Sequence, residues 1–126
     1  MAKGGNECIL VVEDDEGMRR VVAKQLAGLG YRVFEASDAA AAIATLRREP
    51  QIDLLFTDIV MPGGRSGAEL ARDARALIPR LRVLLTSGFP QVRADIGGWP
   101  DDSLRLLNKP YRRDELARVM REVLDA

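Results

Sequence analysis

The chain has 126 residues, and its 19 Lys and Arg balance 19 Asp and Glu to give a formal net charge of zero. That length suits one compact domain with a single core, and the charge balance offers no electrostatic footprint for nucleic acid or an anionic membrane surface. Histidine is absent, which excludes Ser-His-Asp and Cys-His chemistry, histidine metal sites and any role as a histidine phosphate donor.

Residues 1–7, with Gly4, Gly5 and Asn6, are expected to form a flexible tail ahead of a folded domain over 8–126. Neither this stretch nor any later run has the apolar length of a signal peptide or a membrane span, and the only cysteine, Cys8, cannot form an internal disulfide. A reducing, cytoplasmic setting is the expectation. Cys8 to Val12 is a continuous apolar run, as a strand buried on both faces requires, and Glu13, Asp14 and Asp15 come directly after it. Met18, Val21, Val22, Leu26 and Leu29 then recur at helical spacing and stop near Gly28 and Gly30, which predicts a helix with Met18 on its core face. Tyr31 to Ala36 mixes Arg32 and Glu35 with Val33 and Phe34 and reads as an edge strand. Ala39, Ala42, Ile43 and Leu46 predict a second helix before Pro50.

Leu54 to Phe56 is the next continuous apolar run, with Asp58 just beyond it. Ser66 and Glu69 have capping-box spacing and open a stripe of Leu70, Ala71, Ala74, Leu77 and Ile78 that Pro79 closes. Val83 to Leu85 predicts a fourth strand, with Thr86 and Ser87 after it. Pro90 to Ile96 is a poor helix cut short by Gly97, Gly98 and Pro100, with Trp99 as a loop aromatic. Leu104 to Leu107 predicts the fifth strand, and Lys109 and Pro110 lie just past it, the proline setting a bend and being a candidate for a cis bond. Leu116, Val119, Met120, Val123 and Leu124 form the last helical stripe, with Asp114 and Glu115 in its first turn.

Strands alternating with helices imply right-handed crossovers and a parallel sheet covered on both faces. Five strands in this length fit a flavodoxin-like doubly wound sheet of order 2-1-3-4-5, whose working crevice lies beyond the carboxyl ends of the strands. Glu13, Asp14 and Asp15 stand at the end of the first run, Asp58 at the end of the third, Ser87 after the fourth and Lys109 after the fifth, so these groups converge on one rim. Acids gathered there would repel one another without a cation, and all-oxygen ligation selects a hard ion such as Mg²⁺. A carboxylate beside that ion can attack phosphorus, and a lysine and a hydroxyl can hold the phosphoryl oxygens.

Over nearly its whole length the sequence resembles the receiver domains of response regulators and hybrid sensor kinases. The matching segments are Ile9-Leu10-Val11-Val12-Glu13-Asp14-Asp15, Asp58-Ile59-Val60-Met61-Pro62, Ser66-Gly67, Leu85-Thr86-Ser87-Gly88 and Lys109-Pro110-Tyr111. The resemblance implies a phosphoacceptor domain of a two-component relay, a signalling module rather than an enzyme, with at most a weak autophosphatase activity. A partner histidine kinase or histidine phosphotransfer domain would supply the phosphoryl group, and a protein-interaction surface would switch in response. Asp58 would be the phosphoacceptor and Glu13 with Asp14 the acidic pair. Mg²⁺ would be held by Asp14, Asp58 and the backbone carbonyl of Val60, with Glu13 reaching it through water. Ser87 would be the switch hydroxyl and Lys109 the partner of the phosphoryl group. Ser87-Gly88-Phe89-Pro90 and Lys109 to Arg113 are similar to receivers fused to hybrid kinases.

Two neighbours compete for these roles. Asp15 could replace Glu13 in the acidic pair, and Thr86 could replace Ser87, although strand alternation with Ser87 at the site would turn Thr86 to the other face. The sequence departs from the family's pattern in a longer loop at Gly63-Gly64-Arg65, and in the weak helix through Gly97-Gly98-Trp99-Pro100. It departs also at Leu106, where an aromatic residue often reports phosphorylation. A Mg²⁺-dependent aspartyl-phosphate phosphohydrolase is the runner-up, but it usually needs a second Asp at the position of Val60 and a cap. A pseudo-receiver that binds partners without phosphorylation is opposed by the set Asp14, Asp58 and Lys109, and a flavin binder by the lack of a phosphate-cradling loop after the first run.

Overall fold

A computed structural model of the chain describes residues 4–60, 66–87 and 104–126. Five strands, β1 (Cys8–Val12), β2 (Arg32–Ala36), β3 (Leu54–Asp58), β4 (Arg82–Ser87) and β5 (Leu104–Asn108), form one parallel sheet in the order β2-β1-β3-β4-β5. Among the described residues four helices connect or flank them: α1 (Glu16–Gly28), α2 (Ala39–Arg48), α3 (Gly67–Leu77) and α4 (Arg113–Asp125). This is the flavodoxin-like arrangement expected, and the mixed segment after Tyr31 is indeed an edge strand. The brief helix expected at Pro90 to Ile96, Trp99, and the loop at Gly63-Gly64-Arg65 lie outside the described residues. No described helix is long and apolar enough to cross a membrane.

The continuous apolar runs are explained by burial on both sheet faces. Leu10, Val12, Leu55, Val83 and Leu85 point to one side, where Ala42 and Leu46 of α2 and Leu70, Ala71 and Ala74 of α3 cover them. Ile9, Val11, Leu54, Phe56 and Leu84 point to the other, under Leu26 of α1 and Leu116, Val119, Met120 and Val123 of α4. Successive side chains of a strand alternate between faces, so each strand serves both layers, and each fully buried Leu or Ile contributes about 1.5–3 kcal/mol relative to exposure.

The helices begin where the sequence supplies caps. Asp15 accepts from the Met18 N–H at 2.9 Å and Asp38 from the Ala41 N–H at 2.7 Å. Ser66 and Glu69 form the reciprocal capping box in full. Helix α1 ends at Gly28, and the chain turns away from it through Gly30, whose φ of 100° is a left-handed conformation that glycine adopts without penalty.

Two of the expected helical stripes are narrower in the structure. Met18 and Val21 of α1 are 43% and 57% exposed rather than on the core face, and Leu77 of α3 is exposed too. Ala23 and Leu26 carry the burial of α1 instead. Of the segment expected as a tail, residues 4–7 lie against the body: the Gly5 N–H donates to Leu29 O at 3.1 Å, and Arg121 Nη1 donates to both Glu7 carboxylate oxygens at 2.9 and 3.0 Å.

Candidate functional site

Every strand of this sheet runs the same way, so the residues at their carboxyl ends share one rim. Glu13 follows β1, Asp58 closes β3, Thr86 and Ser87 close β4, and Lys109 follows β5. The three central strands β1, β3 and β4 carry polar residues only toward their ends, and the sheet brings together groups up to 96 positions apart. Lys109 Nζ donates to Asp58 Oδ2 at 2.8 Å and to Glu13 Oε1 at 3.3 Å. The Val60 N–H donates to Asp58 Oδ1 at 3.3 Å, so both acceptor oxygens of Asp58 are engaged. The main chain beside them is clamped across strands: the Ile59 N–H donates to Thr86 O at 3.0 Å and the Lys109 N–H to Ser87 O at 2.8 Å. The Lys109–Pro110 peptide bond is cis.

The acidic loop has its own restraint. Arg19, one turn into α1, donates from Nη1 to Glu13 O at 2.9 Å and from Nε to Glu35 Oε1 at 3.2 Å, tying the loop after β1 to both α1 and β2. Of the three consecutive acids, Glu13 is buried and turned to Lys109, Asp14 is exposed, and Asp15 is committed to capping α1.

The electrostatics are set by that crowding. Burial pushes the Glu13 carboxyl above its ordinary range, a hydrogen bond with Asp14 and the charge of Asp58 add to the rise, and Lys109 opposes it. Burial works against the Lys109 ammonium, but Asp58 and Glu13 more than offset it and hold Lys109 above the ordinary lysine value. Tyr111 is pushed up to about 12 by burial and by the negative charges of Glu13 and Asp58, so its phenol stays protonated at neutral pH.

A recess of about 20 Å³ opens beneath these groups, with Glu13, Asp58, Thr86, Lys109 and Tyr111 in its wall and Val11, Val12, Val22 and Phe56 lining the rest. Thr86 therefore shares the recess with Asp58, contrary to the expectation that strand alternation turns it away. The reason is parity: Asp58 and Thr86 are direct partners in the β3–β4 ladder, so their side chains emerge on the same face. Ser87 is buried at the end of β4 and is not among the recess-lining residues. Leu106 is half-buried and packs with the core layer beneath α2 and α3.

The donor set fits a hard cation. Glu13, Asp14 and Asp58 offer oxygen only, and among the described residues no group of three or more acidic, histidine or cysteine side chains forms a ready metal cage. Mg²⁺ commonly keeps several waters and takes one or two carboxylates, which is what this rim provides. Two contributors carry no site role in the sequence reading, although Tyr111 stands within the matching segment Lys109-Pro110-Tyr111. Arg19 has the spacing of an ordinary helix-surface cation, and Tyr111 that of a turn residue; only the tertiary contacts reveal them.

A wider apolar groove lies alongside, lined by Met18, Val21 and Val22 of α1 and by Lys109, Pro110 and Tyr111.

Comparison with known proteins points the same way. The family described as the response regulator receiver domain matches residues 9–121. The response regulator receiver protein CpdR of Brucella abortus is 36% identical over 118 residues, covering 94% of this chain and 97% of CpdR. The sensor kinase CckA of the same organism is 27% identical over 122 residues, covering 96% of this chain but 13% of the kinase. Among solved structures, the response regulator TrrA of Thermotoga maritima in complex with Mg²⁺ and BeF superposes with a TM-score of 0.81 at 27% identity, covering 93% of this chain and 98% of TrrA.

Proposed function

Because the chain belongs to the response regulator receiver domain family, a signalling domain of two-component systems, we propose that Asp58 takes a phosphoryl group from a partner histidine in a Mg²⁺-dependent reaction. The observation that carries this reading is the triad at the rim, with Lys109 Nζ 2.8 Å from Asp58 Oδ2 and 3.3 Å from Glu13 Oε1. Asp58 closes a buried strand, so its carboxylate is desolvated on one side and open to a donor on the other. The Asp58 oxygen would attack phosphorus, the bond to the departing group would break, and the acyl phosphate formed would carry three oxygens that need donors.

Lys109 is the charge already in place to meet them. Asp14 and Asp58, with the Val60 carbonyl and with Glu13 through water, would hold Mg²⁺, which supplies neutralisation of the phosphoryl oxygens. Ser87 is read as the hydroxyl that tracks the phosphoryl group. The donor would be a histidine kinase or a histidine phosphotransfer domain. Its docking surface is assigned to the groove beside Lys109, where the exposed Met18 and Val21 present apolar area next to the reacting carboxylate. A cytoplasmic setting and a weak autophosphatase activity complete the reading.

The test is direct. With Mg²⁺ and acetyl phosphate the protein should gain one acid-labile phosphoryl group, seen as a single mass increment, and Asp58→Asn should not. Uptake that persists in Asp58→Asn would move the acceptor elsewhere.

A further inference from the structure

Thr86 Oγ1 is the one buried side-chain oxygen or nitrogen among the described residues that has no hydrogen-bond partner. Thr86 is only 6% exposed, so bulk water does not compensate the hydroxyl, and buried polar groups are otherwise almost always paired. Thr86 is also the ladder partner of Asp58 and lines the same recess as Asp58, Glu13 and Lys109. The surrounding wall of Val11, Val12, Val22 and Phe56 is apolar, a setting in which valine, of nearly the same shape, would leave no orphan.

Lys109 has the complementary need. An ammonium has three N–H donors, and two are spent here on Asp58 Oδ2 and Glu13 Oε1. Conversion of Asp58 to an acyl phosphate neutralises the carboxylate itself and moves the negative charge outward onto the phosphoryl oxygens, which weakens the shorter of those two bonds just when Lys109 must stay aimed at those oxygens. An acceptor that is unused in the resting state and sits in the same recess would then hold the ammonium.

We propose that Thr86 is a positioning residue for Lys109, its hydroxyl unpartnered at rest and accepting from the Lys109 ammonium when Asp58 carries a phosphoryl group. This rests on the reading of Asp58 as the phosphoacceptor. The energetic signature has opposite signs in the two states. At rest the hydroxyl is a liability, so removing it leaves stability unchanged or raises it; in the phosphorylated state it is a partner, so removing it weakens that state.

The test uses Thr86→Val, which keeps the shape, Thr86→Ala, which removes the hydroxyl with space to spare, and Thr86→Ser, which restores it. Thermal melting without Mg²⁺ reads the resting state, and titration with beryllofluoride in the presence of Mg²⁺ reads the phosphorylated one. Thr86→Val should melt at or above the parent temperature yet bind beryllofluoride about tenfold more weakly, as expected for one lost bond to a charged group. Thr86→Ala should show the same loss of affinity, and Thr86→Ser should recover most of it. A residue that merely packs would not separate the two readouts. Parent-like beryllofluoride affinity in both Thr86→Val and Thr86→Ala would overturn the proposal while leaving Asp58 untouched. A parent protein that fails to respond to beryllofluoride would instead overturn the acceptor reading, and this inference with it.

Discussion

Replacing Lys109 by methionine keeps the aliphatic stem and removes the ammonium. In the parent that ammonium faces Asp58 and Glu13, and the side chains of Lys109, Asp58 and Glu13 are 21%, 14% and 10% exposed. Breaking one side of a fully buried pair costs about 3–5 kcal/mol, whereas an exposed pair is worth about 0–1 kcal/mol. With some solvent reaching all three groups, the loss is set near 2 kcal/mol, or a fall in Tm of about 5–10 °C for a domain of this size.

The pH dependence has a definite sign. Glu13 already titrates above its ordinary value, chiefly through burial, and Lys109 is what restrains it; without Lys109 the rise becomes larger. A carboxyl whose folded pKa is raised favours the fold below its unfolded pKa and loses that contribution as pH rises through the folded value. The deficit of Lys109→Met should therefore be greatest near neutral pH and shrink as the solution is acidified and Glu13 takes up a proton. Mg²⁺ replaces the missing positive charge and should raise Tm more in the variant than in the parent. Calorimetric melting across this pH range, with and without Mg²⁺, measures both effects. A deficit that is constant with pH, or that Mg²⁺ does not reduce, would refute the role of Lys109 as counter-ion.

The neighbouring acids Asp14 and Asp15 should separate cleanly. Asp14→Ala should abolish Mg²⁺ titration and phosphorylation with melting at or above the parent temperature, because crowding is relieved; Asp15→Ala should retain both activities and lose about 1 kcal/mol of stability with its cap. Mg²⁺ binding that survives in Asp14→Ala would remove that residue from the site. At the opposite end of the sheet, Arg121 holds the Glu7 carboxyl below its usual range. A lowered folded pKa stabilises above the unfolded value and is lost as pH falls through the folded one. Melting of the parent should thus exceed that of Glu7→Gln at neutral pH, and the two curves should converge in acid; parallel curves would show the pair to be inert.

The strands are legible because parallel strands buried on both faces leave uninterrupted apolar runs, and the rim is legible because chain order then fixes which residues lie at their ends. Asp58 and Lys109 can be paired from that logic alone. Helix faces are less legible: Met18 and Val21 fall at helical spacing with Leu26, but a stripe of hydrophobic residues does not reveal how wide a band the sheet can cover. Thr86 is misplaced when alternation is counted from Ser87 instead of from the ladder partner of Asp58, and register between strands is not written in either strand. Arg19 gives no signal, since one partner is the Glu13 carbonyl, a backbone acceptor that leaves no mark on residue identity, and the other, Glu35, comes within reach only through the pairing of β1 with β2.

Helix α3 starts on the main chain of Asp58. A Cβ at Gly67 would lie 2.2 Å from Asp58 O, and the Gly67 N–H donates to Ile59 O at 2.7 Å. Backbone resting on backbone has no rotamers through which to yield, so this junction has almost no compliance. The 11 residues of α3 extend about 16 Å from it, with the Asp58 peptide as fulcrum at one end and exposed Leu77 at the other. A small tilt of that peptide is therefore enlarged along the rod, and the absence of a single side chain at Gly67 makes the lever stiff.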